Sequence, residues 1–294
     1  MTTCTHDHDD EPRRDTVGRR GFLNLGAAGI AGAGAAAALA ALPATSATAA
    51  SAAAAGAGPG KGAYAYPADP VLPPSTMSLR KGSAALLVVD PQVDFLSPRG
   101  VAWGVVGESV TEHGVVDNLG RLFRAAKAAD LPVVISPHYY YPHDHRWAFE
   151  GALEKVMHAI GMFDRPGPLD VSGLEGSGAD FMAQYKPFIE DGRTVIASPH
   201  KVYGPEQNDA SLQLRKLKVD QIVLAGMSAN LCVESHMRAF LEQGFEVAVV
   251  RDATAGAKIP EGDGYLAALI NFRMMANAVW STDEAVDRLA ALGA

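Results

Sequence analysis

Cysteine is nearly absent: Cys4 and Cys232 are the two in 294 residues, which excludes the disulfide framework of a small stapled module. Basic charge is short as well. Lys and Arg number 25 against 33 Asp and Glu, for a formal net charge of -8, so there is no basic field to grip phosphates and nucleic acid is not expected as a partner. No G-x-G-x-x-G turn follows the first apolar run, LLVVD at 86–90. The phosphate turn that a dinucleotide-dependent oxidoreductase needs is therefore missing. What the chain does have is apolar mass: 48% of residues are hydrophobic and 20% charged, enough to build a sizeable core and to exclude wholesale disorder.

A second absence is local. From Leu25 to Ala57 there is no charged residue, and the stretch is mostly alanine and glycine. It follows Arg19-Arg20-Gly21-Phe22-Leu23, and Ala47-Thr48-Ala49 offers an A-x-A cleavage site. A basic start, a weakly hydrophobic run and small residues have the form of an export signal, and the paired arginines resemble a twin-arginine leader. Residues 1–49 are thus expected to be a cleaved signal, 50–77 a flexible Ala/Gly/Pro-rich arm, and 78–294 the folded domain. The alternative for 25–42 is a membrane anchor, although large apolar side chains are scarce there. After cleavage the expectation is a secreted or cell-envelope protein with no stable membrane association and a single cysteine, Cys232.

From Ser83 onward short apolar runs alternate with helical patterns. The runs are 84–89, 132–136, 194–198, 221–226 and 245–250, with 277–280 as a weaker sixth. Continuous apolar strands of this kind suit a parallel sheet buried on both faces. Helical spacing appears at 113–129, 210–217, 231–243, 265–275 and from 282. The alternation predicts an α/β doubly wound fold, a three-layer αβα sandwich with a mostly parallel six-stranded sheet, whose ligands bind at the carboxyl ends of the strands. Residues 137–193 read as an irregular excursion, either a pocket wall or an oligomer contact.

Three polar residues stand just past three strand patterns. Asp90 ends the first, where a partly desolvated carboxylate can act as a base; by itself it reads more readily as a cap or a structural acid. Lys201 follows the third; alone it reads as a solvated surface lysine. Cys232 follows the fourth, in GMSANLCVES, at the start of a helical pattern where unsatisfied amides favour a thiolate; alone it could be a small core residue.

Taken together, LLVVDPQVDF, a lysine after a strand and AGMSANLCVES resemble the isochorismatase-like cysteine hydrolases, over about residues 78–291. The resemblance implies a catalytic triad of Asp90, Lys201 and Cys232. It also implies a non-proline cis peptide at Met227-Ser228 and an oxyanion hole made by the backbone N–H groups of Ser228 and Cys232. It further implies hydrolysis of a C–N bond in a small amide, carbamoyl or ureide substrate through an acyl-enzyme on Cys232, in a homo-oligomer. The VYGPEQNDAS stretch after Lys201 departs from the family pattern, which leaves substrate selection there open.

Nicotinamidases of this superfamily bind a divalent metal through an Asp-x-His…His cluster. This chain has SPHYYYPHDHRWAF, with His138 where that Asp stands and Tyr140 where the first His stands. His143 and His145 remain as possible ligands, in a spacing that is not a standard set. The expectation is a site without cofactor in which His138, Tyr140 and Trp147 line the substrate pocket. The alternatives are a metal-dependent nicotinamidase-type amidase and a secreted, non-catalytic binding protein on the same scaffold.

Overall fold

The computed structural model describes residues 61–293; the expected signal at 1–49 and the start of the arm lie outside them. The central sheet is built from β1 (Ala84–Val89), β2 (Val133–Ser136), β3 (Val195–Ile196), β4 (Gln221–Gly226), β5 (Glu246–Val250) and β8 (Ala278–Trp280). Its order is β3-β2-β1-β4-β5-β8 and every neighbouring pair is parallel. A separate two-stranded ribbon joins β6 (Lys258–Ile259) to β7 (Gly262–Asp263).

The unbroken apolar runs are explained by what covers the sheet. In β1, Leu86 and Val88 belong to one core cluster and Ala85, Leu87 and Val89 to another, all of them buried. The first cluster is closed by α2 (Trp103–Glu112), α3 (Val115–Ala128) and α9 (Thr282–Gly293). The second is closed by α6 (Ala210–Lys216), α7 (Glu234–Glu242) and α8 (Gly264–Met275). A strand packed on both faces has no polar side, so alternation disappears from its sequence. Each such Leu or Val contributes about 1.5–3 kcal/mol by burial.

Three features depart from the sequence reading. The arm is held to the body: the buried Tyr64 ring meets His113 and Tyr265 edge-on, and its hydroxyl donates to Asp263 Oδ2 at 2.7 Å. Arg273 donates to the carbonyls of Tyr64 and Ala65, both at 2.8 Å. Helix α2 has no counterpart in the sequence patterns because its glycines weaken the helical signal. Gly107 is nonetheless required, since a Cβ there would sit 2.5 Å from the Trp103 ring that covers it. Finally, the excursion at 137–193 contains α4 (Ala152–Ile160) and α5 (Lys186–Ile189) besides α1 (Val93–Leu96) upstream of it. It folds back on the carboxyl end of β1: Asp94 of α1 accepts the Phe163 amide at 2.8 Å. Among the described residues no helix is long and apolar enough to cross a membrane.

Candidate active site

The sheet order turns at β1 and β4, so the crevice of a doubly wound fold should open beyond Val89 and Gly226, which are register partners. Gly226 makes this close junction possible. Its φ is +114°, and a Cβ would lie 2.0 Å from the Val89 carbonyl oxygen, a position only glycine can fill.

Asp90 follows β1 with φ +46° and is fully buried. Its Oδ1 accepts from Nε2 of His200 at 2.8 Å, and its Oδ2 has no hydrogen-bond partner. Burial raises its pKa, and the neighbouring His200 opposes the rise. Cys232 lies across from it in a π-helical turn, Ala229–Val233, that leads into α7. The thiol is 3% exposed. Burial pushes its pKa well up and the negative charge of Asp90 adds to this, while the backbone amides of Ser228 and Cys232 pull the other way. Burial and the charge of Asp90 thus act against the pull toward a thiolate expected of a helix start. The Met227-Ser228 peptide is cis, and Met227 donates to the Val89 carbonyl at 2.9 Å.

Lys201 does not join this pair. Its ammonium donates to Asp144 Oδ2 at 2.6 Å and to the Tyr139 carbonyl at 2.8 Å, and lies 3.7 Å from the centre of the Tyr141 ring. His200, one residue earlier, occupies the place beside Asp90. The reason is the period of an extended chain. His200 bridges His138 in parallel, and successive side chains in such a stretch point to opposite sides, so only one of His200 and Lys201 can face Asp90.

His138 is fully buried and comes to the same point. One ligand atom from each of Asp90, His138, His200 and Cys232 lies within 4.8 Å of the others. Its ring stacks on Phe163 and meets Tyr140 edge-on, and Tyr140 in turn packs against Trp147 and His158. His138, Tyr140 and Trp147 thus pack in one aromatic chain, with the Tyr140 hydroxyl buried and unpartnered. The loop histidines do not converge. His145 pairs with Asp164 at 2.7 Å, His143 is exposed, and Asp144 between them is held by Lys201 and by the Tyr141 amide.

Sequence reasoning missed three supporting residues. Gln92, two positions after Asp90, exchanges hydrogen bonds with the His138 backbone and fixes the strand-end loops together. His236 sits one helical turn after Cys232. Its Nδ1 faces the Cys232 carbonyl at 2.7 Å, an acceptor, so Nδ1 carries the proton and Nε2 accepts from the Ser136 hydroxyl at 2.7 Å. The i, i+4 spacing of Cys232 and His236 was a usable signal. His200 is adjacent to Lys201, and nothing in the sequence pattern distinguishes the two.

With this geometry in view, a model of the isochorismatase domain matches residues 84–284. The chain belongs to the isochorismatase family. Among relatives in that family, the ureidoacrylate amidohydrolase RutB of Pseudomonas syringae pv. syringae (strain B728a) is 28% identical over 223 residues, covering 72% of this chain and 85% of that one. A cysteine hydrolase from Pseudomonas syringae pv. phaseolicola 1448A superposes with a TM-score of 0.62 at 20% identity, over 76% of this chain and 99% of that one. An isochorismatase family protein from Desulfovibrio vulgaris subsp. vulgaris str. Hildenborough gives 0.54 at 19% identity, over 72% and 100%. The two structures share the fold of this family member.

Proposed function

We propose that this chain hydrolyses a C–N bond of a small amide, carbamoyl or ureide compound through an acyl-enzyme on Cys232. The carrying observation is the burial of a thiol, a carboxylate and an imidazole within 4.8 Å of one another beyond β1 and β4, a set for which a binding protein has no need. The amidohydrolase relative supports the bond type. In this reading Asp90 takes the thiol proton as Sγ bonds to the substrate carbonyl carbon, and the carbonyl π electrons move to oxygen. The backbone N–H groups of Ser228 and Cys232 stabilise that oxyanion. Collapse of the adduct breaks the C–N bond, with the Asp90 proton passing to the departing nitrogen. Water then adds to the thioester, giving its proton to Asp90, and the acid and thiol are released.

His200 performs the part expected of Lys201. It holds Asp90 by a hydrogen bond and supplies positive charge only in its protonated form, where a lysine would supply it throughout. No step calls on a cofactor. His138, Tyr140 and Trp147 would line the substrate pocket. The Arg19-Arg20 leader makes export by a twin-arginine route part of the same proposal, with a small-molecule substrate met outside the cytoplasm and a homo-oligomeric assembly.

The test is a panel of small amides, carbamoyl compounds and ureides read by ammonia release, with mass spectrometry of the quenched protein. A substrate that leaves an acyl mass on the peptide containing Cys232, and whose turnover falls at least about a thousandfold in Cys232→Ser, bears the reading out. Unchanged turnover in that variant would refute it.

A further inference from the structure

The same four residues present an imbalance of hydrogen-bond donors and acceptors that the hydrolytic reading does not absorb. His138 Nε2 lies 3.1 Å from the Lys201 carbonyl, which can only accept, so the proton is on Nε2 and Nδ1 carries a bare lone pair; that Nδ1 is buried without a partner. His200 faces Asp90 through Nε2, the nitrogen an ion shared with Asp90 would take, while Nδ1 on the far side of the ring is buried without a partner. Asp90 Oδ2 is a third such atom. The Cys232 sulfur completes the group. The Lys201 ammonium, which would have brought three N–H donors and a positive charge, is turned away to Asp144 and the Tyr139 carbonyl. What remains is a fully buried cluster without lysine or arginine, where unpartnered polar atoms are costly.

We infer that Asp90, His138, His200 and Cys232 form a zinc-binding site, and that zinc and catalysis exclude each other. One thiolate, two imidazoles and one carboxylate are a donor set that suits Zn²⁺ and excludes Mg²⁺ and Ca²⁺, which want oxygen throughout. The Lys201 carbonyl on the far nitrogen of His138 is the outer partner that a metal-bound histidine ordinarily has. Bonds of about 2.0–2.3 Å to a tetrahedral ion place ligand atoms roughly 3.3–3.8 Å apart, so the widest pairs in the 4.8 Å cluster must close by roughly 1–1.5 Å as the ion binds. This set shares neither His143 nor His145 with the loop ligands considered from the sequence.

The step balances simply. As the Zn–S bond forms, the Cys232 thiol proton leaves to solvent, and no electron is transferred. The sulfur is then a bound ligand and Asp90 is engaged, so the nucleophile and its base are both withdrawn. That consequence rests on the hydrolytic reading; the site itself does not.

Purified full-length protein, stripped with a chelator, is titrated with Co²⁺ and separately with Zn²⁺. The expected result is one ion per chain, visible-band cobalt absorption of a tetrahedral centre, a thiolate-to-cobalt band in the near ultraviolet, and about one proton released per ion. Cys232→Ser should abolish the thiolate band, and His138→Ala should weaken binding at least tenfold. His200→Lys, which places an ammonium among the acceptors, should abolish binding, while His143→Ala and His145→Ala should leave it unchanged. Melting curves establish that each variant is folded. Co²⁺ binding that persists unaltered in Cys232→Ser and His138→Ala, or no binding by the stripped wild type, would overturn the site. Where a substrate is in hand, Zn²⁺ should inhibit at the concentration at which it binds. Stoichiometric binding by a protein inactive on every substrate even when stripped would leave the site standing and count against the hydrolytic reading.

Discussion

At the scale of single residues, His200 and Lys201 divide what one residue was expected to do. His200 meets Asp90, whereas Lys201 fastens the loop that carries Asp144 and Tyr141. His200→Ala is therefore expected to lower kcat/KM by about two to three orders of magnitude, the range of a lost acid–base partner. Lys201→Ala should keep activity within about tenfold and cost on the order of 1 kcal/mol of stability, the worth of a partly exposed ion pair; steady-state kinetics and urea melts on the two variants decide it. Alkylation of Cys232 should be slow at neutral pH compared with the denatured chain, since the thiol is 3% exposed and its pKa is pushed up. A rate matching that of the unfolded thiol would contradict the buried site. Asp90 could be singled out because it ends a run of apolar residues, and Cys232 because it opens the helical pattern that follows one. Which of two adjacent polar residues faces them could not, because that depends on the phase of an extended segment set by its bridge to His138.

Among the elements, the junction of β1 with β4 carries the site, and Gly226 is its tightest point. Gly226→Ala would force a Cβ against the Val89 carbonyl at a φ of +114°. Strain and overpacking together should cost about 3 kcal/mol or more, seen as a lowered urea midpoint with activity lost in proportion to the displacement of Cys232. The strands were legible because a short apolar run between turn signals has few other readings, the four residues at 277–280 being the weakest case. Helices α2 and α4 were not. In α2, glycine and β-branched residues dilute the helical period, and the packing of Gly107 beneath Trp103 is a contact within the fold that outweighs the propensity. In α4, the surrounding glycines and prolines drew attention to the loops on either side.

The whole molecule is held by ties between distant segments. Lys127 of α3 donates to Asp191 Oδ2 at 2.6 Å and to Thr194 Oγ1 at 2.6 Å, anchoring the chain just before β3. The lysine, together with the amides of Arg193 and Thr194, holds the Asp191 carboxyl well below the usual carboxylate range. A depressed folded pKa stabilises above the unfolded value, about 3.9, and that contribution disappears as pH falls through the folded one. Asp191→Asn should accordingly cost about 1 kcal/mol at pH 7, after allowance for solvent screening. The difference from wild type should close as pH drops from about 4 toward the depressed value; denaturation midpoints at a series of pH values test this. The sequence alone determined the α/β class, the parallel sheet and the strand end at which Asp90 lies, because apolar runs and their interruptions report burial directly. Tertiary structure decided that His200 rather than Lys201 meets Asp90, that His138 joins them, and that the arm from Tyr64 lies on the body. These depend on segments far apart in the chain meeting at particular angles, which no local pattern encodes.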